Sequence, residues 1–163
     1  MSDNPVVEAV CRAFPEAAAE EPSLRDEATV AVRPQDLVAV CRYLRDDSNM
    51  AFGMLKDCCG LDGLALGQRP RFAVVYHLYS LKHNRSLCLM VRVDEGAAVP
   101  SLVSVWPGAN WYEREVYDMF GIPFEGHPDL RRILNPEDLE GHPLRKDFPL
   151  GDVAVDHGVS PRE

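Results

Sequence analysis

The chain has no run of apolar residues near the roughly 18 that a membrane-crossing helix requires, so none is expected among its 163 residues. It is also short of positive charge. Lys and Arg number 17 against 26 Asp and Glu, a formal net charge of -9, and neutralising phosphates takes clustered basic side chains. A nucleic-acid partner is excluded on that ground. Met1 to Pro5 carries neither the basic nor the apolar region of a secretory signal, and a cytoplasmic address is the expectation. Cysteine is sparse and irregular. Cys11, Cys41, Cys58, Cys59 and Cys88 are odd in number, which suits free thiols in a reducing compartment and excludes a disulfide framework. No four-cysteine run for an iron–sulfur cluster occurs. Cys58 and Cys59 point apart as neighbours and have no histidine near them in sequence, so no metal site is expected there. Absent too are a phosphate loop, a GxGxxG turn and a GxSxG elbow, so a free-standing nucleotide enzyme is not expected.

What is present is ordinary globular material, with 46% hydrophobic and 26% charged residues, enough for one core at this length. Val6, Val7, Val10, Cys11 and Phe14 repeat at helical steps behind Asp3 or Asn4 and Pro5, and Pro15 stops the helix. An acidic loop through Glu20, Glu21 and Pro22 follows. Ala28, Val30 and Val32 alternate as in a strand. Pro34 opens a second helix with Leu37, Val38, Cys41 and Leu44 on one face and Arg42, Arg45 and Asp46 outward. Residues 49–63 are open between strand and buried helix. Phe72 to Tyr79 and Ser86 to Val93 alternate as the two arms of a hairpin turned near Lys82, His83 and Asn84. Asn110 and Glu113 have capping-box spacing, which predicts a helix from Trp111 to Phe120, ended by Gly121 and Pro123. Prolines at 123, 128, 136, 143 and 149 then exclude long regular elements. The expected division is an α+β domain over 1–121, an extended partner-docking arm over 122–150 and a flexible tail over 151–163.

Candidate functional groups fall on the last helix and the arm. Glu113, Arg114, Glu115 and Asp118 crowd one short helix with Trp111, Tyr117, Met119 and Phe120. Arg114 and Asp118 have i,i+4 spacing. Such a mixture of charge and aromatics suits a binding surface better than a solvated face or a pair of catalytic carboxylates. His127 and His142 each precede proline, where the backbone is held extended; a rigid turn with imidazole capping a backbone group outweighs metal ligation or a proton relay. Arg131, Arg132, Arg145 and Lys146 give the arm a positive bias, and arginine forks favour docking to a neighbouring protein over contact with anionic lipid. With Asp129 and Asp147 these residues form the expected partner interface, with no catalytic, cofactor or metal residue among them. Replacing Arg131 or Arg132 by Ala is expected to leave the isolated fold intact and weaken assembly.

The segment from Glu113-Arg114-Glu115-Val116-Tyr117-Asp118-Met119-Phe120-Gly121-Ile122 through Phe124 and Gly126-His127-Pro128-Asp129-Leu130-Arg131-Arg132-Ile133-Leu134 closely resembles the signature of the thirty-kilodalton subunit of respiratory complex I, known in bacteria as the C subunit. The likeness extends to Trp106-Pro107, Asn110-Trp111, the hairpin Phe72 to Val91, and Gly141-His142-Pro143-Leu144-Arg145-Lys146-Asp147-Phe148-Pro149-Leu150. It implies a two-layer α+β fold, helices on one face of a small mixed sheet, with an irregular C-terminal arm. It further implies a non-catalytic peripheral subunit of a proton-translocating NADH:quinone oxidoreductase, on the cytoplasmic face of the inner membrane and touching the membrane only through partners. FMN, iron–sulfur clusters and quinone then belong to other chains, chiefly the large hydrogenase-like quinone-site subunit and the neighbouring iron–sulfur subunits. The short stretch after Leu150 implies a separate rather than a fused subunit, and nothing carries over to the double cysteine. The alternative is the same module in an energy-converting hydrogenase or an F420H2 or ferredoxin dehydrogenase. A free-standing enzyme using Glu113, Glu115 or His127 is the least favoured.

Overall fold

Asn4 opens the part of the chain that the computed structural model describes, residues 4–22 and 27–149. Its side chain accepts from the amides of Val6 and Val7 at 2.9 and 3.4 Å and so caps α1 (Pro5–Ala13), with Pro5 at the helix start. A cap of this kind is worth about 1 kcal/mol. The strands β1 (Ala18–Glu21) and β2 (Thr29–Val32) follow. A 3-10 turn at Pro34–Asp36 then leads into α2 (Leu37–Asp46), which buries Leu37, Val40, Cys41 and Leu44. Next come β3 (Met54–Asp62), β4 (Phe72–Ser80), β5 (Arg85–Val93), β6 (Val99–Pro100), α3 (Ala109–Phe120) and β7 (Phe124–Glu125). The tail expected over 151–163 lies outside the described residues.

Five strands form one sheet in the order β1-β2-β5-β4-β3. The β2–β5 pair is parallel and the others antiparallel, so the sheet is mixed, as expected. Strand alternation sorts the side chains between two faces. Phe72, Val74, Tyr76 and Leu78 of β4 and Leu87, Leu89, Val91 and Val93 of β5 join one core with Val6, Val7 and Val10 of α1, Leu37, Val40, Cys41 and Leu44 of α2, and Val116 and Phe120 of α3. All three helices therefore cover the same face. The other face carries only a small apolar cluster of Ala73, Val75, Cys88 and Met90, with Cys59 against it.

One segment left open by the sequence is settled, and another differs from the expectation. β3 resolves the ambiguous stretch as an edge strand: Cys58 is buried while its neighbour Cys59 points to the opposite face. β1 lies where only an acidic loop was expected. Ala18-Ala19-Glu20-Glu21 has no apolar alternation, so no period marks it as a strand; it is recruited by backbone pairing with β2 from Ala18↔Val32 to Glu21↔Thr29. Arg92 adds a bidentate contact to Glu21 at 2.7 and 2.9 Å, the strong form of a charged hydrogen bond.

Gly60 of β3 lets α3 come close. A Cβ there would stand 2.5 Å from Phe120 Cδ2, so the bare backbone of β3 serves as the seat for the last ring of the helix. The arm begins inside this same packing. Ile122 and Phe124 are buried in the core, and β7 pairs in parallel with β6 through Val99↔Phe124 and Pro100↔Glu125. Backbone regularity changes at residue 121, and core packing continues past it into Ile122 and Phe124.

Candidate functional site

Helix α3 organises everything after residue 100. The capping box expected from Asn110 and Glu113 does not form: the helix starts one residue earlier, at Ala109, with Gly108 as a cap that offers no side chain. Glu113 turns into the core instead, 0% exposed. Its carboxylate accepts from Ser101 Oγ and from the Leu102 amide, both at 2.6 Å. Burial pushes its pKa above the ordinary carboxylate range, and those two hydrogen bonds oppose the rise. The residue therefore ties α3 to the loop before it and lies buried within this chain.

Asp118, one turn further on and also 0% exposed, is the centre of the arm. Its Oδ2 accepts from the amides of Ile133, Leu134 and Asn135 at 3.1, 2.8 and 2.9 Å. Oδ1 accepts from Arg132 Nη1 at 2.8 Å and Asn135 Nδ2 at 3.1 Å. Burial acts to raise its pKa, but these donors, the amides of Asn135 and Leu134 foremost, outweigh it and hold the carboxyl well below its usual range. A carboxylate accepting several amide hydrogens behaves in this way. Arg132 is spent in the same place, with Nη2 donating to the carbonyls of Leu139 and Gly141 at 2.8 and 2.9 Å. Arg114, expected to pair with Asp118, instead donates to the carbonyls of Arg131 and Arg132 at 3.1 and 3.0 Å.

The end of α3 shows why the arm lies where it does. A helix leaves its last four carbonyls without intrahelical partners, and here each one finds a donor. Tyr117 O takes the Gly121 amide at 2.8 Å, with Gly121 in the left-handed region at φ 71. Asp118 O takes His142 Nδ1 at 2.8 Å, Met119 O takes the Leu144 amide at 3.1 Å, and Phe120 O takes Arg145 Nε at 2.6 Å. Arg145 also sets a positive charge at the negative end of the helix dipole. A second clasp lies beside it. Arg71, which sequence reading did not single out, grips Asp62 with two hydrogen bonds at 3.0 and 2.8 Å and reaches Asp147 at 2.7 Å and Glu95 at 3.1 Å. Asp62 in turn accepts from the Lys146 amide at 2.8 Å. Held by Arg71, the carboxyls of Asp62 and Asp147 both lie below their ordinary values.

These contacts show which of the expected interface residues are already engaged within the chain. Glu113 and Asp118 do not reach the surface, and Arg132 and Arg145 are engaged with the chain's own backbone and carboxylates. Both histidines bond to the chain's own backbone. His127 Nε2 donates to Asn110 O at 3.1 Å while its Nδ1 accepts from the Asp129 amide at 3.0 Å, so both ring nitrogens are occupied and the proton sits on Nε2. Glu113 is buried and both ring nitrogens of His127 are engaged with backbone groups, so neither stands free as an acid or base in this structure. The groups that do face outward are Glu115, Asp129, Arg131, Lys146 and Asp147, the last while held by Arg71. Beside them lie Trp111, 65% exposed with Arg114 over its ring at 5.8 Å, and the exposed Leu134 and Leu144. Trp111 stood out in the sequence among the aromatics of a charged helix, and Leu134 was open to detection on the same ground; the Arg71 clasp was not, because Asp62, Arg71, Glu95 and Asp147 meet only in three dimensions.

The structure thus defines a class of module: a mixed-sheet α+β domain whose irregular C-terminal arm is fastened to its own last helix by buried carboxylate clasps. The chain belongs to the family described as Respiratory-chain NADH dehydrogenase, 30 Kd subunit, whose model matches residues 30–153. Among its relatives is the C subunit of the NADH-quinone oxidoreductase of Roseiflexus sp. strain RS-1, 53% identical over 147 residues, which are 90% of this chain and 83% of that protein. The corresponding C subunit of Methylobacterium sp. strain 4-46 is 54% identical over 125 residues, 77% of this chain and 57% of the relative. Among solved structures, a chain of an archaeal respiratory membrane complex, the membrane-bound sulfane sulfur reductase, has the same fold at a TM-score of 0.73. It shares 22% identity, with 89% of this chain and 84% of that chain covered.

Proposed function

We propose that the chain is a non-catalytic peripheral subunit of a proton-translocating NADH:quinone oxidoreductase, acting in assembly and stabilisation of the quinone-reducing module. The observation that carries this reading is the family match over residues 30–153, joined by relatives above 50% identity that are C subunits of NADH-quinone oxidoreductases. Electrons pass from NADH through FMN and iron–sulfur centres to quinone in the partner chains. This chain sits on the cytoplasmic face of the inner membrane, held there by its partners. Among the described residues no helix is long and apolar enough to cross a membrane.

The clasps supply the physical means. An irregular segment without its own core has no reason to keep one shape, but buried carboxylates that satisfy its amides give it one before any partner arrives. Binding then loses less conformational entropy than it would with a loose arm. The docking surface is the outward side of α3 and the arm, with Trp111 as its aromatic anchor, Leu134 and Leu144 beside it, and Glu115, Arg131 and Lys146 as the charged rim. Its partners are the large hydrogenase-like quinone-site subunit and the neighbouring iron–sulfur subunits.

Affinity purification of the tagged chain from native membranes, with mass spectrometry of the chains that accompany it, tests the reading. Flavin- and iron–sulfur-binding subunits of an NADH-oxidising complex are expected. Recovery of the chain alone contradicts the proposal. A large subunit with nickel-ligating cysteines, and no NADH-oxidising chain, moves the module to a hydrogenase-type assembly, which the archaeal likeness in fold allows but its 22% identity does not favour.

A further inference from the structure

The uncovered face of the sheet holds a donor set that the linear sequence hides. Asp57 and Cys59 stand two residues apart on β3, so both project to the face opposite the helices. His77 of β4 lies directly across from Asp57 in the strand register. That register depends on a bulge between Leu55 and Asp57. Without the extra residue Asp57 would oppose Tyr76 and turn into the core; with it, carboxylate and imidazole meet on the outer surface. Bulges often re-aim a side chain in this manner. One donor atom from each of Asp57, Cys59 and His77 lies within 4.8 Å of the other two. Tetrahedral zinc with bonds of about 2.0–2.3 Å needs its donors about 3.5 Å apart, a closure within the reach of side-chain rotation.

A fourth residue favours a ligand over chance proximity. Glu27 Oε2 lies 3.1 Å from His77 Nδ1, which places the ring proton on Nδ1 and leaves Nε2 as the nitrogen with a free lone pair. Carboxylate, histidine and metal in series is the usual way a protein orients an imidazole ligand. His77 and Glu27 are each about 29% exposed at the side chain, so an ion can enter from solvent.

We propose that Asp57, Cys59 and His77 form a zinc-class metal site, with Glu27 as the positioning residue for His77 and water at the fourth position. Zinc joins β3, the edge strand, to β4 nearer the sheet centre. The donor set is carboxylate, thiolate and imidazole, which suits zinc over the oxygen-seeking calcium and magnesium. Binding releases the Cys59 thiol proton to solvent and involves no oxidation, so affinity rises with pH.

The test is titration of the purified full chain with zinc against a metal indicator, in parallel with a cobalt(II) spectrum. One zinc per chain and a near-ultraviolet thiolate-to-cobalt band are expected. Cys59→Ser and His77→Gln weaken zinc at least tenfold, Glu27→Gln weakens it about tenfold, and Cys11→Ser leaves it unchanged. Far-ultraviolet circular dichroism without metal confirms that the variants fold. Absence of stoichiometric zinc, absence of the cobalt band in the unaltered chain, or full affinity in Cys59→Ser and His77→Gln each overturns the proposal. The cobalt band is read on the unaltered chain and so stands even where a variant misfolds. None of these outcomes depends on the docking reading.

Discussion

Asp118 of α3 and Arg132 of the arm form an ion pair, Nη1 to Oδ1 at 2.8 Å, in which the carboxylate is wholly buried and the arginine side chain is 17% exposed. The same carboxylate takes three consecutive amides of the segment that carries the arginine's successor residues. Helix and arm are therefore one cooperative unit.

Arg132→Ala should destabilise the isolated chain by about 2 kcal/mol, because it removes a charged hydrogen bond to the buried Asp118 carboxylate and strips the Leu139 and Gly141 carbonyls of their donor, while the amides of residues 133–135 still hold the carboxylate. Arg131→Ala, at a side chain 65% exposed and, among the described residues, paired with exposed Asp129, should change stability by less than about 0.5 kcal/mol. Urea unfolding of the two variants separates them. Sequence alone treats the adjacent arginines alike.

Glu113→Ala should cost about 2 kcal/mol, since it strands the Leu102 amide and the Ser101 hydroxyl in the core. Glu113→Gln keeps an acceptor for the amide and a donor for the hydroxyl and should cost less than about 1 kcal/mol. Thermal melting of both variants checks the pair. Equal loss would mean that charge, not hydrogen bonding, is what this position needs.

Acid should unfold the chain through its clasps. Asp62, Asp118 and Asp147 have pKa values depressed in the fold, so the unfolded chain takes up protons first, near the ordinary value of about 3.9. Their stabilisation is present above that pH and is lost as pH falls below it. Glu113, raised by burial, acts in the opposite sense: its contribution is present below the unfolded value and lost as pH rises through its folded one. Three depressed groups outweigh one raised group. Urea midpoints at pH 7 and about pH 3 should show a large fall on acidification, and Asp118→Asn should show a smaller one.

Gly121→Ala should loosen the arm. The residue sits at φ 71, and an added Cβ would meet His142 and Arg145 side-chain atoms at 2.5 and 2.6 Å. Left-handed backbone alone costs a non-glycine residue about 1–2 kcal/mol, and the displaced side chains are those that satisfy the end of α3. Limited proteolysis should show cleavage within 122–149 sooner than in the unaltered chain.

Much of this architecture was legible beforehand because period survives in the sequence. The hairpin Phe72 to Val93, the α2 face around Leu37, Cys41 and Leu44, and the Gly121 stop are local patterns that the fold only had to obey. β1 was not legible, since its pairing with β2 and Arg92 owes nothing to its own alternation. Nor was the division of labour within Glu113-Arg114-Glu115-Val116-Tyr117-Asp118: helical geometry turns Glu113 and Asp118 inward and Glu115 outward, but only the covering loop and arm make inward mean buried. Cys59 and His77, eighteen residues apart in number, become neighbours through strand pairing alone.

The central claim is that the clasped arm and α3 present a docking surface anchored by Trp111. Purifying the complex from membranes of cells carrying Trp111→Glu, beside a melting curve of the isolated variant, tests it most directly. The account predicts an unchanged melting temperature and loss of most partner chains, as expected for an anchor worth about 2 kcal/mol or more. A complex recovered in full yield with the variant in place would contradict it.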